Sequence, residues 1–169
     1  VEQDKLWSGH LHIAIAPTKN MDRIEWFAEK ATEIGFDELT FLNCRYSERK
    51  VLKRERVEKI LVAAMKQSLK AKKPILNEMT EFNKFVKQEF TGQKFIAHCN
   101  EGEKKLLKDI IKPEEDALVL IGPEGDFSQQ EVDLAIENGF IPISLGKSRL
   151  RTETAALVAC HIMNLTNQK

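Results

Sequence analysis

Ala117 to Ile121 reads ALVLI, five apolar residues with no polar position between them. A strand with one face in water alternates apolar and polar residues. An unbroken apolar run this short instead fits a strand covered on both faces, and such strands belong to parallel sheets with helices packed on either side. The rest of the chain fits that class. HLHIAIA, from His10, alternates like a strand, and MDRIEWFAEKATEIG sets Ile24, Phe27, Ala28, Ala31 and Ile34 on one helical face ahead of Gly35 as a C-cap. ELTFLN is the next strand. After a basic helix come a short ILNE, a helix around EFNKFVKQEF, the strand KFIAHC, a helix around EKKLLKDIIK stopped by Pro113, and then ALVLI. One more helix ends at Asn138-Gly139, and FIPISL leads into GKSRLRTETAALVACHIMNL. The alternation predicts an α/β fold, a mostly parallel sheet with helices on both faces, in a single domain over residues 1–169. Periodicity carries no strand order.

In such sheets ligands bind beyond the carboxyl ends of the strands, which directs attention to the loops after Cys99, Ile121 and Leu145. Gly122-Pro123-Glu124-Gly125 offers two glycines for close backbone approach with a proline stiffening the turn, and Ser128 with Glu131 reads as a capping box opening a helix. LGKSRLRTET offers Gly146 and then Thr152 as an N-cap, with Glu153 in the first turn. A nucleotide phosphate is a poor fit. Neither G-x-G-x-x-G nor G-x-x-x-x-G-K-[ST] occurs, and an anion at the Ser128 helix start would meet Glu124, Asp126 and Glu131. A neutral or cationic ligand suits the loop better, and S-adenosylmethionine, with its positive sulfonium, is of that kind.

Charge adds a second constraint. The 26 Lys and Arg balance 26 Asp and Glu, yet Arg45 to Lys73 holds eleven basic residues against three glutamates. Within it, Val57, Ile60, Leu61, Ala64 and Leu69 form an apolar stripe while Lys59, Lys66, Lys70 and Lys73 form a basic one, both expected on one helix. Such a face is either solvated or binds a polyanion. Cys44, Cys99 and Cys160 are far apart and never in C-x-x-C spacing, which predicts buried free thiols and no zinc cluster. His10 and His12 share a strand face, but two ligands without a third predict no metal site. His161 reads as a core or interface residue, and Trp26 as packed, with Trp7 and Trp26 the aromatic candidates for base stacking. TAALVACHIM is too short to span a bilayer and the N-terminus lacks signal-peptide order, so a cytoplasmic protein with no membrane partner is expected. The chain begins VEQDKLW without methionine, and residues 1–9 read as a linker from a preceding segment.

IGPEGDFSQQEV followed by ISLGKSRLRTETAAL resembles the paired C-terminal motifs of the RsmE-type enzymes of the SPOUT superfamily, which methylate N3 of a uridine in small-subunit (16S) ribosomal RNA. KNMDRIEWFAEKATEIGFDEL, SERKV and AAMKQS are similar to further stretches of that family, so the resemblance runs from Lys19 to Leu165. It implies a C-terminal trefoil knot, a homodimer, ribosomal RNA or the small subunit as partner, and S-adenosylmethionine held by three loops. Carried over residue by residue, cofactor contacts fall on His98, on Ile121, Gly122, Pro123, Glu124 and Gly125, and on Ser144, Leu145, Gly146, Leu150, Arg151 and Thr152. With RNA as the polyanion, the basic side of the chain supplies the expected RNA contacts, at Lys19, Arg23, Arg45, Arg49, Lys50, Lys59, Lys66 and Lys70. There are two departures: Asp126 stands where glycine is commonest, which would restrict that loop, and the family's small N-terminal RNA-binding domain is not in this sequence.

N3 of uracil is a poor nucleophile until its proton leaves, and the resulting anion spreads onto the flanking carbonyl oxygens. Arginine can donate to such an oxyanion without losing its own charge. Arg151, beside the third loop, and Arg49, on the basic side, are the candidates. Glu124 either takes the proton or holds the loop, and the second is favoured because an exposed glutamate is a weak base. Two other readings stay open: a related knotted methyltransferase acting on transfer RNA or a ribose 2'-hydroxyl, and an RNA-binding domain without catalysis.

Overall fold

The computed structural model describes residues 5–169, so the first four positions of the expected linker lie outside the described residues. In chain order the elements are β1 (Leu11–Ile15), α1 (Met21–Ile34), β2 (Glu38–Asn43), α2 (Arg54–Gln67), β3 (Ile75–Leu76), β4 (Thr80–Glu81), α3 (Phe82–Val86) and β5 (Gln93–Ala97). They continue with β6 (Lys105–Leu106), α4 (Leu107–Ile110), β7 (Ala117–Ile121), α5 (Gln129–Glu137), β8 (Ile141–Ser144) and α6 (Thr152–Thr166). Every strand pairing is parallel, in the order β3-β2-β1-β7-β5-β8-β6, with β4 also on β2. β7 and β8 are both inserted between strands that precede them in the chain: β7 bonds β1 and β5, and β8 bonds β5 and β6.

The apolar runs follow from two cores, one on each face of the sheet. Leu11, Ile13, Ile15, Val119 and Ile121 join Phe27, Leu61 and Met163, while Ala14, Ala16, Leu118 and Leu120 join Phe85, Phe127 and Val132. Alternation in β1 therefore does not separate core from solvent, because all five of its residues are buried. The bulky positions face one helical layer, and the smaller or polar ones face the other. The helix expected around EKKLLKDIIK is instead a short strand and a single turn. Lys105 and Leu106 pair with Ile143 and Ser144 of β8, so cross-strand bonding takes residues whose spacing served either state.

The basic helix also ends sooner than the stripe implied. Leu69 sits past the α2 C-cap at φ 58°, with its N–H bonded to Lys66 O and the Lys70 N–H bonded to Met65 O, which is a Schellman motif with leucine at the left-handed position. Leu69 is 86% exposed. Only Lys59 and Lys66 of the basic stripe lie on the helix. Lys70 donates to Glu33 O and Lys73 pairs with Glu58.

At the start of the described chain, Trp7 is buried, donates to Asp37 Oδ2 at 2.9 Å and bridges to Gln168. Packing against the C-terminus thus removes it from base stacking. Trp26 is 42% exposed and His161 is exposed, so neither is a core residue, and Cys99 is exposed where a buried thiol was expected. No helix among the described residues is long and apolar enough to cross a membrane.

Candidate active site

The loops after β5, β7 and β8 meet at one end of the sheet and enclose a cavity of about 850 Å³. Each of the twelve positions proposed for the cofactor lines it: His98 from the first loop, Ile121 to Gly125 from the second, and Ser144 to Gly146 with Leu150 to Thr152 from the third. These loops converge because β5 lies between β7 and β8 in the sheet, a juxtaposition the sequence order does not carry. A second cavity, of about 870 Å³, opens at the amino ends of the strands beside Trp7, His10 and Phe36, away from the glycine loops.

The loops are tied to one another. Thr152 is the first residue of α6 and Arg151 its N-cap, which corrects the expected cap by one position. The Thr152 hydroxyl, free of capping, donates to Gly122 O at 3.0 Å and so bonds the third loop to the second. Asp126 adopts φ 67°, a conformation that aspartate tolerates better than most residues. Its Oδ2 accepts from Cys99 N at 2.8 Å and its Oδ1 from Phe127 N at 2.8 Å. The departure from glycine thus joins the first loop to the second.

The glycines differ in use. A Cβ on Gly125 would lie 3.1 Å from Tyr46 Cβ, so this glycine lets loops of the protein approach each other. Gly146, at φ 140° with no atom within 4 Å of a Cβ position, gives the third loop a left-handed turn facing open space.

The capping box at Ser128 is present, with Ser128 N donating to Glu131 Oε1 at 2.9 Å and Ser128 Oγ accepting from Glu131 N at 3.2 Å. The other oxygen of Glu131 accepts from Arg45 N at 3.0 Å. The capping box thus takes two of the free N–H groups at the α5 start, those of Ser128 and Glu131, and sets the Glu131 carboxylate there, which makes the helix start a poor place for a phosphate.

His98 is buried, and its Nδ1 has no partner among the described residues. Burial first, and then the ammonium of Lys104, holds this imidazole below its ordinary pKa against a smaller opposing pull from Asp126. A neutral ring with a free nitrogen in a half-apolar cavity suits a ligand with uncharged donors and acceptors, as adenine and ribose have.

Arg151 lines the cavity with an exposed side chain that has no hydrogen bond among the described residues. Arg49 lies outside that lining. Its guanidinium donates to Thr18 O at 3.2 Å and to Lys19 O at 2.6 Å, pinning the loop after β1. Glu124 holds the same loop, accepting from Lys19 N at 3.1 Å. Arg23 lies in the cavity wall, 4.0 Å from Glu153. Sequence reasoning did not single out Lys104, Arg149 or Cys99 for the site, although all three line it. Lys104 and Cys99 stand outside the glycine-loop motifs, whereas Arg149 lies within LGKSRLRTET and was passed over for its neighbours Leu150 and Arg151. Lys59 and Lys66 are exposed on α2, Lys50 is exposed, and so are Lys19 and Arg45, whose backbone N–H groups bond Glu124 and Glu131.

His10 and His12 both face Glu38, with His12 Nδ1 3.7 Å from the Oε1 that His10 contacts. His10 Nε2 is 2.7 Å from Glu38 Oε1, while His12 Nε2 is 2.8 Å from Thr40 Oγ1. Among the described residues no three His, Cys, Asp or Glu side chains are grouped to hold a metal ion.

A parallel α/β sheet with glycine-loop walls at its carboxyl edge and arginines around the cavity is the arrangement in which α/β domains hold small organic ligands. More narrowly, the chain belongs to the RNA methyltransferase domain family, matched over residues 5–164. It is similar to a crystal structure described as a probable rRNA-methyltransferase from Porphyromonas gingivalis, at 43% identity and a TM-score of 0.93, covering 98% of this chain and 71% of that one. The ribosomal RNA small subunit methyltransferase E of Neisseria gonorrhoeae, crystallised with S-adenosyl methionine, superposes at a TM-score of 0.83 with 27% identity, covering 96% of this chain and 68% of that one. The protein of the same name from Buchnera aphidicola is 30% identical over 157 residues, 89% of this chain. The chain spans 61% of that relative's length and 62% of its counterpart from Rickettsia conorii.

Proposed function

We propose that this chain is the catalytic domain of an S-adenosylmethionine-dependent methyltransferase acting on N3 of a uridine in small-subunit ribosomal RNA. The observation that carries the proposal is the convergence of His98, the Gly122–Gly125 loop and the Gly146–Thr152 loop on one cavity. The residues present fit the cofactor. The orphaned Nδ1 of His98 supplies a polar contact, Leu145 and Leu150 supply apolar wall, and the carboxylates of Glu124 and Asp126 in the lining disfavour a phosphate in its place.

When bound, the cofactor supplies an electrophilic methyl group: N3 forms the new C–N bond as the sulfur–methyl bond breaks with its electron pair going to sulfur. The chain's own task is to make N3 nucleophilic and to aim it. Arg151, at the cavity with its donors free, stabilises the uracil anion as the N3 proton leaves to water. Arg49 and Glu124 have a supporting role, since both are bonded to the backbone at Lys19. RNA lies across the basic surface carrying Lys19, Arg23, Arg45, Lys50, Lys59, Lys66 and Lys70.

A homodimer in the cytoplasm completes the proposal, and it is supported by apolar side chains left exposed on the packed helices α1 and α6, Trp26 at 42% and Leu165 at 57%. The insertion of β7 and β8 between earlier strands supports a knotted C-terminal segment.

The test is nucleoside mass analysis of ribosomal RNA from cells lacking the full-length protein. 3-Methyluridine should disappear from the small-subunit RNA and return on complementation. Loss of a 2'-O-methyl nucleoside, or of a transfer-RNA nucleoside, would move the activity to another substrate, and an unchanged set of nucleosides would leave only RNA binding.

A further inference from the structure

The loop after β2 carries the chain's one tyrosine, in the stretch Cys44-Arg45-Tyr46-Ser47. This loop is held firmly. Cys44 N donates to Ser47 Oγ at 3.0 Å and Ser47 N to Cys44 O at 3.1 Å, closing a tight turn around Arg45 and Tyr46. Arg45 N is bonded to the buried Glu131 of α5, so the turn is anchored to the helix that follows the second cavity loop. Tyr46 is nevertheless 50% exposed. Among the described residues its ring packs on no other aromatic, and its hydroxyl has no hydrogen-bond partner.

The position of this ring is set by Gly125. The Gly125 backbone lies against the stem of Tyr46, close enough that a Cβ would sit 3.1 Å from Tyr46 Cβ and 3.8 Å from Cγ. Gly125 itself lines the cavity. The ring therefore stands beside the cavity lining and is not part of it, with exposed Arg45 next to it in the same turn and exposed Lys19 bonded through its N–H to Glu124, the neighbour of Gly125. An aromatic face left open on a fixed turn, among cations and next to a site for a base, has the composition of a single-strand nucleic-acid platform, in which bases stack on rings while cations meet phosphates.

We propose that Tyr46 is a base-stacking residue that holds a nucleotide of the RNA substrate at the mouth of the cavity. The inference rests on reading the site as that of an RNA methyltransferase, and it adds a substrate-positioning residue that the glycine-loop motifs do not contain. Tyr46 carries no charge and touches no phosphate-binding lysine, so its contribution is independent of salt, unlike that of the basic surface.

The experiment measures binding of a short oligouridine and of an abasic ribose-phosphate oligomer of equal length, beside calorimetric titration of S-adenosylmethionine. Tyr46→Ala should weaken oligouridine binding roughly tenfold, within the range for loss of one aromatic stack, and leave the abasic oligomer, the salt slope and cofactor affinity unchanged. Tyr46→Phe should restore binding. The proposal is overturned if oligouridine affinity does not change, if both oligomers weaken equally, if phenylalanine fails as alanine does, or if cofactor affinity falls in parallel, since that last result makes Tyr46 a prop for the Gly125 loop. A parent chain that binds oligouridine through Tyr46 but does not bind the cofactor would instead refute the methyltransferase reading and leave the stack standing.

Discussion

Replacing Thr152 with valine removes one hydroxyl and leaves volume and branching nearly unchanged. Thr152 is 6% exposed, and its hydroxyl donates to Gly122 O at 3.0 Å, in a buried part of the second loop. The valine variant loses a bond with a net value of about 1 kcal/mol and strands a buried carbonyl, which costs about 1–3 kcal/mol in all. A loss of about 2 kcal/mol should lower Tm by roughly 4–8 °C in a domain of this size. Urea unfolding should show the same loss as a lower midpoint at unchanged m-value. Thr152→Ser keeps the hydroxyl and sheds one methyl group, a change of about 0.8 kcal/mol, so serine should be the more stable variant. Because the bond joins the second and third loops, the valine variant should also bind S-adenosylmethionine more weakly than serine does. If valine matches or exceeds serine in both stability and affinity, the bond does not hold the site together.

Other substitutions separate the remaining claims. Gly146→Val should abolish S-adenosylmethionine binding while the domain stays folded, because φ 140° opposes a branched side chain although no neighbour blocks it; calorimetry and circular dichroism on the same sample decide this. Replacing Lys59, Lys66 and Lys70 together should flatten the salt dependence of RNA binding by roughly 0.7 log unit per lost phosphate contact, and an unchanged slope would make these side chains merely solvated. Arg151→Lys should keep cofactor affinity and lose most of kcat, whereas Glu124→Gln should retain turnover; the opposite pattern would assign proton removal to Glu124. Burial pushes His12 down to about 4 from an ordinary 6.5, against the raising pull of Glu38. The unfolded chain then takes up the proton first, so the His12 contribution is complete above pH 6.5 and is lost as pH falls toward 4. Unfolding titrations near pH 5 should show an uptake of about one proton that His12→Gln removes.

Those side chains also mark where the sequence could be read and where it could not. Features set by neighbours within a few positions were legible: the Ser128–Glu131 box, the Gly35 cap of α1 and the ALVLI strand all follow from local periodicity and hydrogen-bond chemistry. Motif resemblance reached further, naming twelve positions that line one cavity. What failed depended on partners distant in sequence. Thr152 has the residue type of an N-cap, but a carbonyl thirty residues away takes its hydroxyl. Leu69 continued an apolar stripe by spacing, and only the end of α2 revealed it as the left-handed residue after the cap. Lys105 and Leu106 became a strand because β8 offered an edge. Asp126 read as a hindrance in a glycine position, since the amide of Cys99 that it bonds lies on another loop. Strand order was invisible for the same reason: insertion of β7 between β1 and β5 leaves no local trace.

The central claim is that the three carboxyl-end loops form one S-adenosylmethionine site, and titration calorimetry of this chain with S-adenosylmethionine tests it most directly. The account predicts saturable binding with one site per chain, competed by S-adenosylhomocysteine, weakened by Thr152→Val and absent in folded Gly146→Val. Binding that fails to saturate, or that survives unchanged in both variants, would contradict it and place the ligand elsewhere on the sheet.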